Sequence, residues 1–514
     1  MANSDSFSDV NNVRPVPKLS TLDFIVKSNT EDAKQQAATC GYNLRSERGV
    51  GTFGVVYEAT NNKDEPFAYK YLPFDENTYE KYGMLDLIEI DIMSRVNHPN
   101  IMHATHIVTP YNCRINGVAI VMPLAEKSLW DIIKEKVFQN TLERLQIIYS
   151  LACGLQFLHA NKILHLDIKV LNVMLKGSPA DNNVSWIDFG LASIVDDITV
   201  GKISRGQKIS LDSRPPEILR GNNTYNAACD VWSFAMLMLY TLSERDIWNV
   251  DYDKIFSGTP EERSQKEIGL AKHIESKLQD NNFMPHTLRH LPDTYRQNAI
   301  DLLSQCLHLD PAKRPSLKEI CSHQLFKDFK PIGQGSLLET PILITEYSKD
   351  HREILKLMLN WCQEIYANES CEILFMAVDL YNRCIYHFKT RKEEFRMSIA
   401  AACLWMADKL IRETRAILLQ KYTPFIRKAV ATITDKAIRD CELEIIHVLH
   451  GILSVNKLYR VCHNLEHLRI CFDEIIMSKD STLYAQVDIV AMENLLAKYP
   501  SDVALPITIT QLLT

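Results

Sequence analysis

The sequence predicts an α+β protein whose first part mixes strands with helices and whose second part is almost entirely helical. Val55-Val56-Tyr57, which follows a glycine-rich segment, has the composition of a strand. Leu85 then begins an apolar pattern at helical spacing that Ile88, Ile92 and Val96 continue. Beyond residue 345 strand signals are few, and apolar residues repeat every three to four positions over 354–366, 371–388, 395–419 and 441–452.

The length of 514 residues exceeds what one core usually holds, so about two to four domains are expected. Pro331-Ile332-Gly333-Gln334-Gly335-Ser336 interrupts two helical patterns and indicates a boundary. The predicted units are a mobile tail rich in Ser, Asn, Asp and Gln at 1–40, a first domain at 42–326, a linker at 327–344, a helical domain at 345–452 and a helical extension at 453–514.

The composition is that of an ordinary soluble protein, with 46% hydrophobic and 24% charged residues. A net charge of −7 argues against nucleic acid as an electrostatic partner. There is no run of eighteen apolar residues and no signal-peptide pattern, so no membrane partner is expected. The 13 cysteines are scattered and odd in number, which favours reduced thiols in the cytoplasm or the nucleus.

The most informative segment is His165-Leu166-Asp167-Ile168-Lys169-Val170-Leu171-Asn172, which Asp188-Phe189-Gly190 follows. Its groups are those that phosphoryl transfer to a hydroxyl requires. Asp167 is predicted to accept the hydroxyl proton or to orient it, and Lys169 to screen the γ-phosphate. Asn172 and Asp188 would supply the hard oxygen ligands that Mg²⁺ prefers.

Two upstream features fit the same chemistry. Gly49-Val50-Gly51-Thr52-Phe53-Gly54 places glycines where a backbone must approach phosphates closely. A dinucleotide-binding fingerprint is disfavoured because that pattern opens a helix, whereas this one leads into a strand. Lys70 lies on the next apolar strand, suited to the α- and β-phosphates, and Glu89 on the predicted helix would pair with it.

Together these motifs make residues 42–326 resemble a eukaryotic serine/threonine protein kinase domain of the cyclin-dependent type. The resemblance implies a bilobal kinase fold, ATP and Mg²⁺ as cofactors and protein substrates. It also implies that Met122 gates the adenine pocket and that Glu217 pairs with Arg314. The implied catalytic residues are Asp167 and Lys169, the metal ligands Asn172 and Asp188, and the nucleotide-binding residues Arg48, Gly49, Val50, Gly51, Thr52, Phe53, Gly54, Val55, Val56, Lys70, Glu89, Pro123 and Ala125.

Three positions depart from the family pattern. Leu166 stands where the family most often has an arginine that binds a phosphate on the activation segment. Arg205 falls where the cyclin-dependent kinases are phosphorylated, and it has no hydroxyl. Arg48 stands where the family usually has an aliphatic side chain that packs on the adenine ring. Activation that depends on a phosphate is therefore not expected.

The helical part resembles a single cyclin box in three segments. They are Leu359-Asn360-Trp361-Cys362-Gln363-Glu364, Glu372 to Arg383, and Ala401 to Lys409. In that family a lysine and a later glutamate face the kinase, and Lys409 and Glu442 match them best. A kinase joined to a cyclin in one chain resembles gene fusions of large DNA viruses.

The combined resemblance predicts a serine/threonine kinase that its own cyclin-like domain activates in cis, through Lys409 and Glu442 directed toward the Glu89 helix. One alternative is an active kinase whose helical domain serves substrate docking or dimerisation. Another is a catalytically silent scaffold. The second alternative is disfavoured because Lys70, Glu89, Asp167, Asn172 and Asp188 are all present.

Overall fold

A five-stranded antiparallel sheet forms the N-terminal lobe, with the strand order β1-β2-β3-β6-β5. Its strands are β1 (Tyr42–Val50), β2 (Val55–Asn61), β3 (Pro66–Pro73), β5 (His106–Val108) and β6 (Gly117–Pro123). The computed structural model describes residues 31–50, 54–73, 87–109, 117–195, 197–203, 209–244, 247–248, 250–251, 254–255, 257–331, 333–338, 349–366, 371–388, 390–412 and 419–453.

Two helices cover this sheet. The first, α1 at 31–39, differs from the expected mobile tail over 1–40. Ala33 and Ala37 are fully buried one turn apart, and Gln36 donates a hydrogen bond to the carbonyl of Gly117 at 2.7 Å and accepts one from Tyr69 at 2.8 Å. These anchored side chains hold a polar segment that its composition alone marks as a tail. The other tail residues lie outside the described part.

The second helix, α2 (Leu87–Arg95), carries Glu89 and confirms the helical pattern read from the sequence. All its residues except Ser94 are buried, including Glu89, Asp91 and Arg95. Such burial exceeds that of a surface helix, so α2 must have partners on more than the sheet side. The strand β4 (Val96–Asn97) follows it directly.

The C-terminal lobe of the first part is mainly helical. Its helices are α3 (Leu129–Lys134), α4 (Thr141–Ala160), α5 (Pro216–Leu219), α6 (Ala227–Ser243), α7 (Pro260–Gln279), α8 (Phe283–Thr287), α9 (Asp293–Cys306) and α10 (Leu317–Cys321). Its short strands are β7 (Lys127–Ser128), β8 (Ile163–Leu164), β9 (Val173–Leu175), β10 (Val184–Trp186), β11 (Ser193–Ile194), β12 (Lys202–Ile203) and β13 (Thr224–Tyr225). The helix α6 is almost wholly buried and forms the core of this lobe.

The second part consists of α11 (Lys349–Tyr366), α12 (Cys371–Cys384), α13 (Glu393–Arg412), α14 (Leu419–Ala429) and α15 (Asp435–Val448). The other four helices surround α13, which also packs against α2 of the first part. Small side chains at Ala400, Ala401 and Ala402 permit this close packing. The predicted extension beyond residue 453 lies outside the described residues. In the described part no helix is both long and apolar enough to cross a membrane.

Residues 333–338 of the segment that connects the two parts are docked on the N-terminal lobe. Its strand β14 (Ser336–Leu337) pairs antiparallel with β4, and the N–H of Leu338 donates to the carbonyl of Arg95 at 2.7 Å. A side chain at Gly335 would place its Cβ 2.5 Å from the ring of Phe157. The connecting segment therefore adds a strand to β4, directly after the C-terminal end of α2.

The expected pair of Glu217 and Arg314 is present and buried in the C-terminal lobe. Two parallel hydrogen bonds of 2.6 and 2.8 Å join the guanidinium to the carboxylate, and the carbonyl of Ala228 accepts a third at 3.0 Å. The pair fixes α5, at the end of the activation segment, to the core of the lobe.

Replacement of Arg314 by Leu should lower the free energy of unfolding by about 3–5 kcal/mol, because it leaves the Glu217 carboxylate without its buried counter-charge. The exposed pair of Arg220 and Glu275 offers the control, where Arg220→Leu should change stability by less than about 1 kcal/mol. Urea denaturation followed by tryptophan fluorescence measures both changes. Equal effects would contradict the assignment of Arg314 as an anchor.

Candidate active site

The catalytic loop is held in a strained conformation by one carboxylate. Leu166 has a positive φ of 60°, which a non-glycine residue adopts only where its surroundings impose it. The N–H groups of His165 and Leu166 both donate to Asp230 at 2.9 Å, one to each carboxylate oxygen. Asp230 lies in the first turn of α6, where a negative charge is favoured by the helix dipole. The core helix thereby fixes the loop that carries Asp167.

Leu166 also joins an apolar cluster between the catalytic loop and the activation segment. Its buried side chain belongs to a cluster that includes Val195, Ile209, Ile218 and Tyr225. Val195 and Ile209 lie on the activation segment and Ile218 in α5. The position that an arginine occupies in most family members thus makes hydrophobic contacts here.

Asp167 lies at the centre of a hydrogen-bonded group. Lys169 Nζ contacts one carboxylate oxygen at 2.7 Å, and Asn172 Nδ2 donates to the same oxygen at 2.7 Å and to the Asp167 carbonyl at 2.8 Å. Ser210 donates to the other oxygen at 2.7 Å and lies 3.1 Å from Lys169 Nζ. These contacts orient the carboxylate and place a positive charge beside it.

Ser210 belongs to this group although the sequence places it only near the end of the activation segment. It lies 43 residues from Asp167, and no local spacing links the two. A hydroxyl ahead of Arg214-Pro215-Pro216-Glu217 is the one signal that could have identified it. The contact itself depends on the fold. Short 3₁₀ helices at Val170–Asn172 and Leu211–Ser213 bring the catalytic loop and the activation segment together.

Lys70 links the sheet to α2 and to the Asp-Phe-Gly segment. Its Nζ lies 2.5 Å from Glu89 Oε1 and 3.4 Å from Asp188 Oδ1. The Lys70 charge holds the pKa of Asp188 below its usual range despite partial burial, and Lys169 acts in the same direction. Asp188 is therefore ionised at neutral pH, as a ligand for a cation must be.

The Asp-Phe-Gly segment also packs against the catalytic loop. The ring of Phe189 is fully buried and lies 5.0 Å from the ring of His165. Burial lowers the pKa of His165, so the imidazole is neutral at pH 7. His165 thus packs the catalytic loop against the Asp-Phe-Gly segment. This packing fixes the position of Asp188 relative to Asp167.

The groups expected to hold a cation fit that role chemically. Asn172 directs its amide hydrogens to Asp167, which leaves its amide oxygen as the acceptor for a cation. Asp188 offers an ionised carboxylate with 38% of its side chain exposed. Oxygen ligands of this kind suit Mg²⁺, which retains several waters or phosphate oxygens among its ligands.

The expected phosphate-covering loop is described only at its two ends. Gly51, Thr52 and Phe53 lie outside the described residues. Open space surrounds the position of a Cβ at Gly49, whereas a Cβ at Gly54 would collide with the carbonyl oxygen of Tyr71. Gly54 is therefore required for the close approach of β2 to β3.

The remaining predicted nucleotide-binding residues lie on β1, on β2 and at the end of β6. The guanidinium of Arg48 binds Glu58 on β2 at 2.7 Å, so its charge is compensated within the sheet. Val50 is exposed at the end of β1. Val55 and Val56 begin β2, and Pro123 ends β6 just before Ala125, where the two lobes join.

Lys409 and Glu442, the predicted kinase-facing pair, form a buried ion pair with each other. Lys409 Nζ also lies 4.1 Å from the centroid of the Trp405 ring. The helix that carries Lys409 packs against α2, which is the predicted neighbour. The lysine and the glutamate thus connect α13 to α15 beside the kinase part.

Residues 42–326 match the protein kinase domain family. The match covers more than half of the 514 residues, and the chain belongs to this family. ATP and Mg²⁺ are the general cofactors of protein kinases. The chain is a serine/threonine protein kinase similar to the cyclin-dependent kinases.

Relatives with that similarity come from distant organisms. Cell division control protein 2 homolog 3 of Trypanosoma brucei brucei is 28% identical over 297 residues, which are 56% of this chain and 92% of the relative. Cyclin-dependent kinase 9 of Homo sapiens is 27% identical over 326 residues, 58% of this chain and 84% of the relative. Cyclin-dependent kinase C-2 of Arabidopsis thaliana is 26% identical over 299 residues, 54% of this chain and 57% of the relative.

Ser210→Ala should lower kcat about tenfold, the effect of one lost hydrogen bond to a charged group. Ser210→Thr keeps the hydroxyl and should retain most of the activity. Transfer of labelled phosphate from ATP to a peptide pool measures both variants, and thermal unfolding checks that they remain folded. Equal activity of the alanine and threonine variants would show that the hydroxyl does not orient Asp167.

Proposed function

We propose that the chain transfers the γ-phosphate of ATP to serine and threonine hydroxyls of proteins and that its helical domain activates it in cis. The observation that carries this proposal is the closed Lys70–Glu89 pair on a helix that the second domain contacts. A separated pair would leave Lys70 without the partner that orients it toward phosphates.

The roles of the site residues follow from their contacts. Asp167 accepts the proton of the substrate hydroxyl or orients that hydroxyl, and the hydrogen bonds from Asn172 and Ser210 fix the direction of its carboxylate. Lys169 neutralises charge next to the transferred group. Lys70 binds phosphate oxygens, with Glu89 holding its ammonium in place.

Asn172 and Asp188 would hold Mg²⁺, which supplies charge neutralisation to the phosphates when bound. Gly49, Val50, Gly51, Thr52, Phe53, Gly54, Val55, Val56, Pro123 and Ala125 would surround the nucleotide. Arg48 would lie beside the nucleotide, with its charge compensated by Glu58. The neutral ring of His165 keeps Asp167 and Asp188 in fixed positions.

The second domain holds α2 through the segment that follows α15. The N–H of Leu453 donates to the buried carboxylate of Asp91 at 2.8 Å, and Arg95 binds the other carboxylate oxygen at 3.0 Å. Asp91 lies two residues after Glu89. A contact that fixes Asp91 therefore limits how far the Glu89 side of α2 can move.

The contact segment is itself rigidly fixed within the helical domain. Arg383 donates to the carbonyls of Ile452 and Leu453 at 2.7 and 2.5 Å, and its guanidinium also binds Asp379 at 2.8 Å. Arg383 is fully buried. The segment thus links α12 to α2 through hydrogen bonds at both of its sides.

Gly451 brings this segment close to α2. It has a φ of 79°, and a Cβ there would lie 2.8 Å from Ile107 Cγ1 and closer still to Ser94 Oγ. Only glycine meets both the backbone and the steric requirement. The glycine at position 451 therefore permits direct packing of the helical domain against α2.

The helical domain also contacts the activation segment. Lys202, on β12, donates a hydrogen bond to the carbonyl of Ile411 near the end of α13. The apolar cluster around Leu166 holds the same segment from the other side. These contacts support activity without a phosphate on the segment, whose residues 204–208 lie outside the described part.

The described helices also support the cyclin-like identity that we propose for the second domain. The three resembling segments fall on α11, α12 and α13, and α13 is the surrounded helix. Its contact with α2 favours an activator over a docking or dimerisation module, since neither of those functions requires contact with the Glu89 helix.

Asp167→Asn should lower phosphoryl transfer by a factor of about 10² to 10⁴, the usual contribution of a positioned base. Asp64→Asn removes an exposed carboxylate and should leave transfer unchanged. The assay uses labelled ATP and a mixed pool of serine and threonine peptides. Undiminished transfer in the Asp167 variant would rule out the proposed site.

Gly451→Ala should lower kcat and accelerate hydrogen exchange in Leu87–Arg95, because the added methyl collides with α2. Gly221→Ala is the matched control, since Gly221 has a φ of 89° but open space around its Cβ position. Both substitutions impose backbone strain, and only the first disturbs the contact. Equal activity of the two variants would argue against activation in cis.

A further inference from the structure

A cavity of about 230 Å³ lies beside the catalytic loop, between α3 and α6. Its walls include Trp130, Lys169, Leu171, Tyr240 and Trp248. Most of the lining is apolar or aromatic, and its polar members are Lys169, Asp212 and Ser213. Such a lining is suited to a hydrophobic side chain that enters from solvent.

This cavity shares a wall with the proposed catalytic site. Lys169 lines the cavity while its Nζ contacts Asp167 at 2.7 Å. On the opposite side, Asp212 lines the cavity two residues after Ser210, which donates to Asp167. A group in the cavity would therefore be separated from the Asp167 carboxylate only by the side chain of Lys169 or of Ser210.

The walls are preformed rather than loosely packed. Trp248 is 2% exposed and stacks on Phe283 with ring centroids 5.9 Å apart. Its carbonyl accepts a hydrogen bond from His273 on α7 at 3.1 Å. Leu171 at the mouth is 53% exposed, although its neighbour Asn172 is buried. An exposed leucine on a fixed loop next to an apolar cavity indicates a contact surface.

We propose that this cavity binds an apolar side chain of the protein substrate, close in sequence to the phosphorylated residue. The inference rests on the proposed function, because a polypeptide whose hydroxyl reaches Asp167 must pass this wall. An extended chain advances about 3.3 Å per residue, so the bound side chain lies within about three residues of the acceptor. The exposed carboxylate of Asp212 disfavours acidic neighbours at that point.

Positional scanning with peptides tests the inference on the full chain. Each position within three residues of a fixed serine carries Leu, Ala, Arg or Glu in turn. We expect one position at which Leu raises kcat/KM about tenfold over Ala, as burial of an added apolar group does. Leu171→Glu should remove that preference and favour Arg at the same position.

Leu142→Glu provides the matched control, because Leu142 is equally exposed, at 51%, but lies outside the cavity wall. It should keep the leucine preference. A flat profile in the unaltered chain, with phosphate transfer still present, would overturn the inference. Absence of transfer to every peptide would instead contradict the proposed function. If Leu171→Glu accelerates transfer to all peptides alike, a segment of this chain fills the cavity, and the inference fails.

Discussion

The ion pair between Lys70 and Glu89 forms only when α2 lies close to β3. The contacts that both domains make with α2 can be understood from this requirement. Burying two opposite charges gains little stability by itself, because their desolvation opposes their attraction. The pair therefore cannot hold α2 against the sheet unaided. Apolar packing must do so, and the sheet and α13 both contact α2, while β14 pairs with the strand that follows it.

The connecting segment and the helical domain each contact α2 or the strand that follows it. β14 binds directly after α2, whereas Leu453 reaches Asp91 inside the helix. Tethering makes these contacts intramolecular, at an effective concentration on the order of millimolar for a short linker. Under the proposed activation in cis, weak contacts would then suffice to bias α2 toward the position in which the ion pair closes. A separate activator would need stronger contacts to reach the same occupancy.

Local spacing singled out Asp167, Asn172 and Asp188 as candidate site residues, and hydrogen bonds place Asn172 against Asp167. It also predicted α2 from its apolar period. It did not predict the contact of Ser210 with Asp167 or of Asp91 with Leu453, because each joins segments far apart in sequence. The helix at 31–39 was missed for a related reason, since its polar composition conceals two alanines and a glutamine that pack on the sheet.

Leu166 shows how a departure from a family pattern can be compensated by packing. An arginine at this position orders the activation segment only when a phosphate is present, because the interaction is one of charge. The apolar cluster that Leu166 shares with Val195 and Ile209 needs no modification and persists whenever the segment is folded. Arg214 adds to this order by donating to the carbonyl of Ile209 at 2.7 and 3.0 Å and binding Glu267 at 3.1 Å. Both ends of the segment are thus held by contacts encoded in the sequence, and these contacts need no phosphate.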